Sequence, residues 1–388
     1  MKTRLLAGFG TVALVALAAC GGDNGGSSGA KAPDKLGQNE GQLDIIAWAG
    51  YAENGSNDPK VNWVGPFEQQ TGCKVNVKIG NTSDEMVQLM KTGQYDGVSA
   101  SGDATLRLIA GGDVAPVNTD LVPNYKDVWD YLKMKAWNSK DGKSYGIPHG
   151  WGANLLMWNS DQVTPAPDSW GAVFDGNSPY KGKVTAYDAP IFIADAALYL
   201  MKTQPDLAIT NPYALDQKQF DAAVNLLKTQ HGIIGEYWSD YTKEQQAFDS
   251  GSLVLGTTWQ VIANLVTSDG KSKVETIVPK EGSTGWSDTW MISSKSKHPN
   301  CMYAWMNYII SPEVNAQVAE WFGEAPANQL ACAKTSDPEH CKTYHADDAA
   351  YASSLYYWTT PTKQCLDGRG AKCVAFDDWV KAWTEIKG

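Results

Sequence analysis

The sequence predicts an α/β protein made of two lobes, and three observations support this prediction. Short strands and amphipathic helices alternate from Leu43 to a helix that begins at Ala104, as in a sheet with helices on both faces. A second succession of the same kind follows between residues 183 and 258. The 388 residues are also enough to form two hydrophobic cores.

The elements of the first lobe are predicted from periodicity and from helix-ending residues. Cys73–Ile79 alternates apolar and polar residues, which is typical of a strand. Ser83 or Asp84 caps the next helix and Gly93 ends it. The predicted strands are 43–48, 73–79 and 95–99, and the predicted helices are 61–71, 83–92 and the one from Ala104.

The glycine-rich segment Trp151–Asn154 predicts the first passage of the chain between the lobes. The segment 278–292 predicts the return. The later elements are strands 183–187 and 253–258, then helices 191–202, 216–229, 241–250, 299–308, 312–322 and 376–386. We therefore assign 43–150 plus 288–330 to lobe 1, and 151–287 plus 331–388, with a disulfide-rich C-terminal tail, to lobe 2. A cleft between hinged lobes is where a ligand is expected.

The return segment contains the most informative local pattern. In an extended chain, residues i and i+2 lie on one face, so Trp286 and Asp288 point the same way and Trp290 continues that face. An aromatic ring beside a carboxylate is suited to binding a cation. A core tryptophan next to a turn aspartate is the alternative interpretation.

The N-terminus predicts export and a lipid anchor. Met1–Ala19 is a signal peptide with Lys2 and Arg4 before a short apolar run. Leu17–Cys20 resembles a bacterial lipoprotein cleavage box, which makes Cys20 the lipidated residue and 20–42 a flexible tether. We expect an extracytoplasmic body anchored to the outer face of the cell membrane. An ordinary secretory signal that happens to end at a cysteine is the alternative.

Composition and motifs argue against several classes of function. The net charge is −11, and without Lys2 and Arg4 it is −13, which disfavours binding to nucleic acid. No metal motif, phosphate loop or nucleophile elbow is found, so we expect neither a cofactor nor an enzyme. A glycosidase-like site using Asp188, Asp288 and Glu324 is the enzymatic alternative. The chain has three arginines, which argues against an anionic ligand.

Six cysteines remain once Cys20 is assigned to lipid, and an even number in an exported chain suggests three disulfides. Proximity along the chain suggests Cys332–Cys341 and Cys365–Cys373, which leaves Cys73–Cys301 as the long-range bridge. Six cysteines allow 15 pairings, so the others remain open. A zinc site formed by His340, Cys341 and His345 is a further alternative.

Several ordered motifs resemble those of the polyamine-binding subfamily of bacterial periplasmic solute-binding proteins, which serve spermidine and putrescine ABC transporters. The motifs are Ala47–Tyr51, Tyr95-Asp96 with Ser101, Tyr145–Gly152, Gly256–Trp259, Val278–Gly282 with Trp286 and Asp288, and Phe322–Asn328. The resemblance implies a type II two-lobe periplasmic binding-protein fold without catalysis, and a membrane permease as partner. We also expect a monomer that captures a cationic polyamine-like ligand. The alternative is the same fold with a quaternary amine, an amino-acid-like solute or a sugar.

The resemblance also implies which residues contact the ligand, and where this chain departs from the family. The family positions are Trp48, Tyr51, Ser101, Asp188, Trp259, Trp286 and Asp288. Ile191 stands where a second acid is common, whereas Asp103 and Glu324 stand where aromatic residues are common. We therefore expect Asp103 and Glu324 to join a displaced cation site. The alternatives are that Asp103 caps the helix at Ala104 and that Glu324 is a surface acid.

Overall fold

The computed structural model describes residues 31–388. The predicted signal peptide Met1–Ala19, the lipidation site Cys20 and the first part of the tether lie outside the described residues. Among the helices of residues 31–388, none is long and apolar enough to cross a bilayer.

Fourteen strands and thirteen α-helices are found in the described residues. The strands are β1 (Gln42–Ala47), β2 (Lys74–Ile79), β3 (Gly97–Ala100), β4 (Ser139–Lys140), β5 (Lys143–Ser144), β6 (Ile147–Ala153), β7 (Leu155–Asn159), β8 (Val184–Tyr187), β9 (Ile234–Trp238), β10 (Leu255–Thr258), β11 (Val274–Ile277), β12 (Thr284–Ile292), β13 (Ala325–Pro326) and β14 (Tyr356–Tyr357). The helices are α1 (Val64–Thr71), α2 (Ser83–Lys91), α3 (Gly102–Ala110), α4 (Gly171–Phe174), α5 (Ile193–Thr203), α6 (Gln217–His231), α7 (Tyr241–Ser250), α8 (Gln260–Asp269), α9 (Pro299–Ile309), α10 (Pro312–Phe322), α11 (His340–Thr343), α12 (Ala349–Ser354) and α13 (Phe376–Lys387).

Each lobe is built on one mixed sheet. The seven-stranded sheet of lobe 1 has the order β13-β6-β12-β3-β1-β2, with β14 paired to β12. The five-stranded sheet of lobe 2 has the order β11-β7-β10-β8-β9. In each sheet the strands followed by crossover helices are parallel. In the first sheet β12 runs antiparallel to β3 and β6 and parallel to β14, and in the second sheet β7 runs antiparallel to β10 and β11. This arrangement agrees with the α/β prediction.

The chain changes lobes at Asn154, between β6 and β7, and again between β11 and β12. Asn154 lies inside the predicted passage. Its side chain fixes the passage, because Nδ2 donates to Thr284 Oγ1 at 2.6 Å, next to the second passage. The two passages therefore lie side by side, as a hinge requires.

The C-terminal tail is divided between the lobes. Its first part, which includes α12 and β14, contributes Ala352, Leu355 and Tyr357 to the core of lobe 1. Its last part, α13, buries Trp379 and Trp383 in the core of lobe 2. The sequence predicted a tail that lies wholly in lobe 2. The difference arises because β14 pairs with the first two residues of β12, and a two-residue strand gives no recognisable pattern in a sequence.

The three disulfides suggested by proximity are present: Cys73–Cys301, Cys332–Cys341 and Cys365–Cys373. Cys73–Cys301 ties the start of β2 to α9 across 228 residues of sequence. Cys341 is bonded to Cys332, so it offers no thiolate to the zinc site considered above.

Candidate functional site

The side chains facing the cleft stand where strands end. Trp48 follows β1, Ser101 lies between β3 and α3, Tyr187 ends β8, and Trp259 follows β10. In α/β sheets the carboxyl ends of parallel strands, with the helix N-termini beside them, form the usual ligand crevice. Strand ends from both sheets therefore supply this site.

These strand ends surround a small cavity of about 30 Å³. Two further residues come from β12, one from the end of α10 and one from the tail. The lining residues are Trp48, Ser101, Tyr187, Trp259, Trp286, Asp288, Phe322 and Trp358. The cavity thus has six aromatic walls, one hydroxyl and one carboxylate.

Trp286 and Asp288 both line the cavity, as their spacing on a strand predicts. The neighbouring strand makes room for them with glycines: a Cβ at Gly152 would lie 2.7 Å from the Trp286 ring. Trp290 lies further along the strand, in the lobe 1 core rather than in the cavity, where its ring centroid is 5.5 Å from that of Trp305.

Asp288 is buried and accepts two hydrogen bonds from lobe 1. Ser101 Oγ donates to Oδ1, and Tyr51 Oη lies 2.7 Å from Oδ2. Burial raises the pKa of Asp288 to about 6, although these two hydrogen bonds favour the ionised form. The carboxyl is therefore ionised at pH 7 but titrates close to that pH.

Tyr51 and Glu324 lie behind Asp288, outside the cavity lining. Tyr51 Oη is also 2.9 Å from Glu324 Oε2, and His149 Nδ1 is 3.6 Å from Glu324 Oε1. Glu324 and His149 are completely buried, so the surface alternative for Glu324 is wrong. Burial, followed by the Asp288 charge, raises the pKa of Glu324, and burial lowers that of His149 to about 3. His149 is therefore uncharged at neutral pH, and the Glu324 carboxyl faces Tyr51 and His149 rather than the cavity, which is a packing arrangement rather than a cation site.

Asp188 and Asp103 are also absent from the cavity lining. Asp188 Oδ1 accepts from Trp383 Nε1 at 2.9 Å and from Lys387 Nζ at 2.6 Å, both on α13. Asp103 accepts from Ser83 Oγ at 2.9 Å. Burial raises the pKa of Asp103 to about 6. Each acid therefore accepts hydrogen bonds from a neighbouring helix, α13 for Asp188 and α2 for Asp103. The Asp103 side chain does not cap its own helix.

The aromatic walls contact one another around the cavity. Trp259 lies 5.4 Å from Tyr187 and 6.1 Å from Trp286, and Tyr187 stacks on Trp358 at 5.5 Å, measured between ring centroids. Trp259 Nε1 donates to Asn154 Oδ1 at 2.9 Å, which ties this wall to the hinge. Aromatic faces beside one carboxylate can hold an alkylammonium group and its methylenes.

Of the nine residues predicted to bind ligand, five line the cavity: Trp48, Ser101, Trp259, Trp286 and Asp288. The sequence prediction missed Tyr187, Phe322 and Trp358. Tyr187 is the residue before the predicted Asp188. Phe322 is the first residue of the motif segment Phe322–Asn328, from which Glu324 was predicted instead. Trp358 lies in the tail, and no sequence signal distinguished it from the other tryptophans.

Sequence comparison finds similar proteins among the periplasmic binding proteins. The chain is 26% identical over 307 residues to the spermidine/putrescine-binding periplasmic protein of Escherichia coli K12, covering 75% of this chain and 84% of that protein. It is 25% identical over 271 residues to the putrescine-binding periplasmic protein SpuD of Pseudomonas aeruginosa UCBPP-PA14, covering 66% and 71%.

Structure comparison and a family model identify the fold and the family. The PotD substrate-binding protein of a Streptococcus pneumoniae spermidine/putrescine ABC transporter superposes with a TM-score of 0.68 at 18% identity, covering 89% of this chain and 99% of that one. The fold is therefore that of a two-lobe periplasmic binding protein, as predicted. Residues 62–349 match the model of the bacterial extracellular solute-binding proteins, and the chain belongs to that family.

Proposed function

We propose that this protein is the solute-binding receptor of an ABC importer and that it captures a cationic amine of the polyamine class. The Asp288 carboxylate, buried among six aromatic side chains contributed by both lobes and the tail, is the observation that carries the proposal. A cation is bound by the carboxylate and by the ring faces, while its methylenes are buried against the rings.

The arrangement of the walls supports capture by closure of the lobes. Trp48 and Asp288 belong to lobe 1, and Tyr187 and Trp259 to lobe 2, so a ligand between them contacts both lobes. A ligand with contacts on both sides favours the closed state. Closed lobes then present one surface to a membrane permease. The relatives named above for spermidine and putrescine binding support this class of ligand.

The site acts outside the cytoplasm, on a chain that we propose is held at the membrane by a lipid on Cys20 and works as a monomer. Neither nucleic acid nor catalysis has a role in this proposal. His149, the histidine nearest the cleft motifs, is fully buried and hydrogen-bonded to Ser99 Oγ at 3.0 Å, which suits a packing role.

Titration calorimetry of the purified protein with putrescine, spermidine, agmatine and choline tests the proposal. Binding should also change the tryptophan fluorescence, because Trp48, Trp259, Trp286 and Trp358 line the cavity. Dissociation constants near the micromolar level correspond to about 8 kcal/mol of binding free energy. Absence of both heat and fluorescence change with all four amines would contradict the proposal.

A further inference from the structure

The cavity offers a single negative charge to a ligand. Among the residues that line it within the described chain, Asp288 is the one with a carboxylate. Its two oxygens already accept from Ser101 and Tyr51, and each carboxylate oxygen has a second lone pair for a ligand donor. One ammonium group can therefore be paired and hydrogen-bonded here.

The nearby acids are held elsewhere by hydrogen bonds or ion pairs. Asp188 accepts hydrogen bonds from the Lys387 ammonium and from the Trp383 N–H. Asp103 accepts a hydrogen bond from the Ser83 hydroxyl. The Tyr51 hydroxyl lies within hydrogen-bond distance of both Glu324 and Asp288. Ile191 is fully buried in the lobe 2 core. Among the described residues that line the cavity, none besides Asp288 therefore presents a carboxylate to the far end of a diamine.

The size and lining of the cavity agree with the charge count. The cavity is small, about 30 Å³, and six of its eight lining residues are aromatic. When the lobes separate slightly, these aromatic rings can contact the methylenes of a ligand. They carry no negative charge that could form an ion pair with a second ammonium group. The residues in contact with the cavity are therefore suited to one charged head and an apolar stem.

We propose that this receptor recognises one ammonium group and the methylenes next to it, and that the second ammonium of a diamine adds little to its affinity. The proposal rests on the proposed function, and it narrows the ligand class from polyamines to amines with one recognised head. In a site with an acid at each end, loss of the second ammonium lowers affinity about tenfold or more, because each charged hydrogen bond contributes substantially. Here the second ammonium remains in solvent or faces a ring.

Paired titrations of the purified protein in an amine-free buffer test the proposal. The pairs are putrescine with n-butylamine and cadaverine with n-pentylamine, so that each pair differs by one ammonium at constant chain length. We expect dissociation constants within about threefold in each pair, part of which is the twofold statistical advantage of two equal ends. A monoamine that binds tenfold or more weakly than its diamine overturns this inference and leaves the proposed function standing.

Two variants distinguish which acid is used. Asp188→Asn should leave the affinity for putrescine unchanged within twofold, and a tenfold loss would show that Asp188 reads the second ammonium. Asp288→Asn should lower the affinity for the diamine and the monoamine by the same factor. If no amine of either kind binds to the wild-type protein, the proposed function fails and the inference fails with it.

Discussion

Asp288 combines burial with ionisation close to neutral pH. Desolvation raises its pKa to about 6, and donation from Ser101 and Tyr51 limits that rise. A bound ammonium group favours the ionised carboxylate further. Binding of a cation is therefore linked to the release of a proton wherever Asp288 is protonated in the free protein.

The affinity for putrescine should fall as the pH is lowered through 6. Between pH 7.5 and pH 5 we expect about a tenfold loss, because a carboxyl with a pKa of about 6 is about one-tenth ionised at pH 5. Putrescine itself stays protonated over this range, so the change belongs to the protein. Calorimetric titration at half-unit steps of pH measures it.

Asp288→Asn removes the charge and nearly preserves the shape. At pH 7.5 it should weaken binding by about 1.5–3 kcal/mol, and the remaining affinity should vary little with pH. Asp103 has a pKa of about 6 as well, so Asp103→Asn is the matched control and should retain the wild-type pH dependence. Wild-type affinity in Asp288→Asn would show that the residue serves only the fold.

Single residues also show how far the sequence could predict the site. Asp188 was predicted and Tyr187 was not, although they are neighbours. Successive side chains at the end of a strand point to opposite sides, and Tyr187 takes the cavity side. A motif indicates a segment, and only the local direction of the chain decides which residue of it meets the ligand.

At the scale of elements, the tail segment that follows β14 completes the cavity. Trp358 forms one wall, and Thr360 Oγ1 donates to the Asp103 carbonyl at 2.7 Å, which fastens the segment to the start of α3. Gly102 allows this approach, since a Cβ there would clash with the backbone of Trp358. On the other side, the Arg107 guanidinium lies 4.3 Å from the Phe376 ring at the start of α13. The tail therefore joins both lobes beside the ligand site.

Trp358→Leu should weaken putrescine binding while the fold persists. The change keeps an apolar side chain but removes the ring face, whose attraction for a cation is about 0.5–2 kcal/mol. We expect roughly a 2- to 30-fold loss of affinity by calorimetry. Trp358→Phe keeps a ring and should lose less. The exposed Trp321 offers a control, and Trp321→Leu should bind as the wild type does. Equal affinities in the Trp358 and Trp321 variants would show that Trp358 of the tail does not contact the ligand.

At the scale of the whole molecule, the alternation of strands and helices was enough to predict two α/β lobes, because amphipathic periodicity is a local signal. The helices Tyr241–Ser250 and Pro312–Phe322 were predicted at the observed bounds. The helix Gln260–Asp269 was missed, because it follows Trp259 directly without a side-chain cap. The pairing of β14 with β12 and the register shift between β6 and β12 depend on contacts between distant segments, which one sequence does not reveal.

Several buried acids give the molecule a characteristic dependence of stability on pH. Burial raises the pKa of Asp195 to about 7 and those of Asp103 and Asp288 to about 6, and it raises that of Glu244 well above its usual value. A raised pKa in the folded state contributes stability that is complete below the unfolded pKa of about 4 and is lost as the pH rises from there to the folded pKa of 6–7. His149 acts in the opposite direction. Burial lowers its pKa to about 3, so its contribution is present above about 6.5 and is lost as the pH falls.

Because the three acids with folded pKa values of 6–7 outweigh one histidine, the melting temperature of the ligand-free protein should fall between pH 5 and pH 7. A rise of about two pKa units in a fully buried acid corresponds to about 3 kcal/mol lost on ionisation. Calorimetric melting of the ligand-free protein at several pH values measures the trend. Asp195 lies outside the cavity lining, where Thr284 Oγ1 donates to it at 2.7 Å, so Asp195→Asn keeps an acceptor for this bond and removes one titration. Its melting temperature should fall less between pH 5 and pH 7 than that of the wild type. A melting temperature that instead rises steadily from pH 5 to pH 7 in the wild type would mean that these acids are already ionised, in favourable surroundings, when the protein is folded.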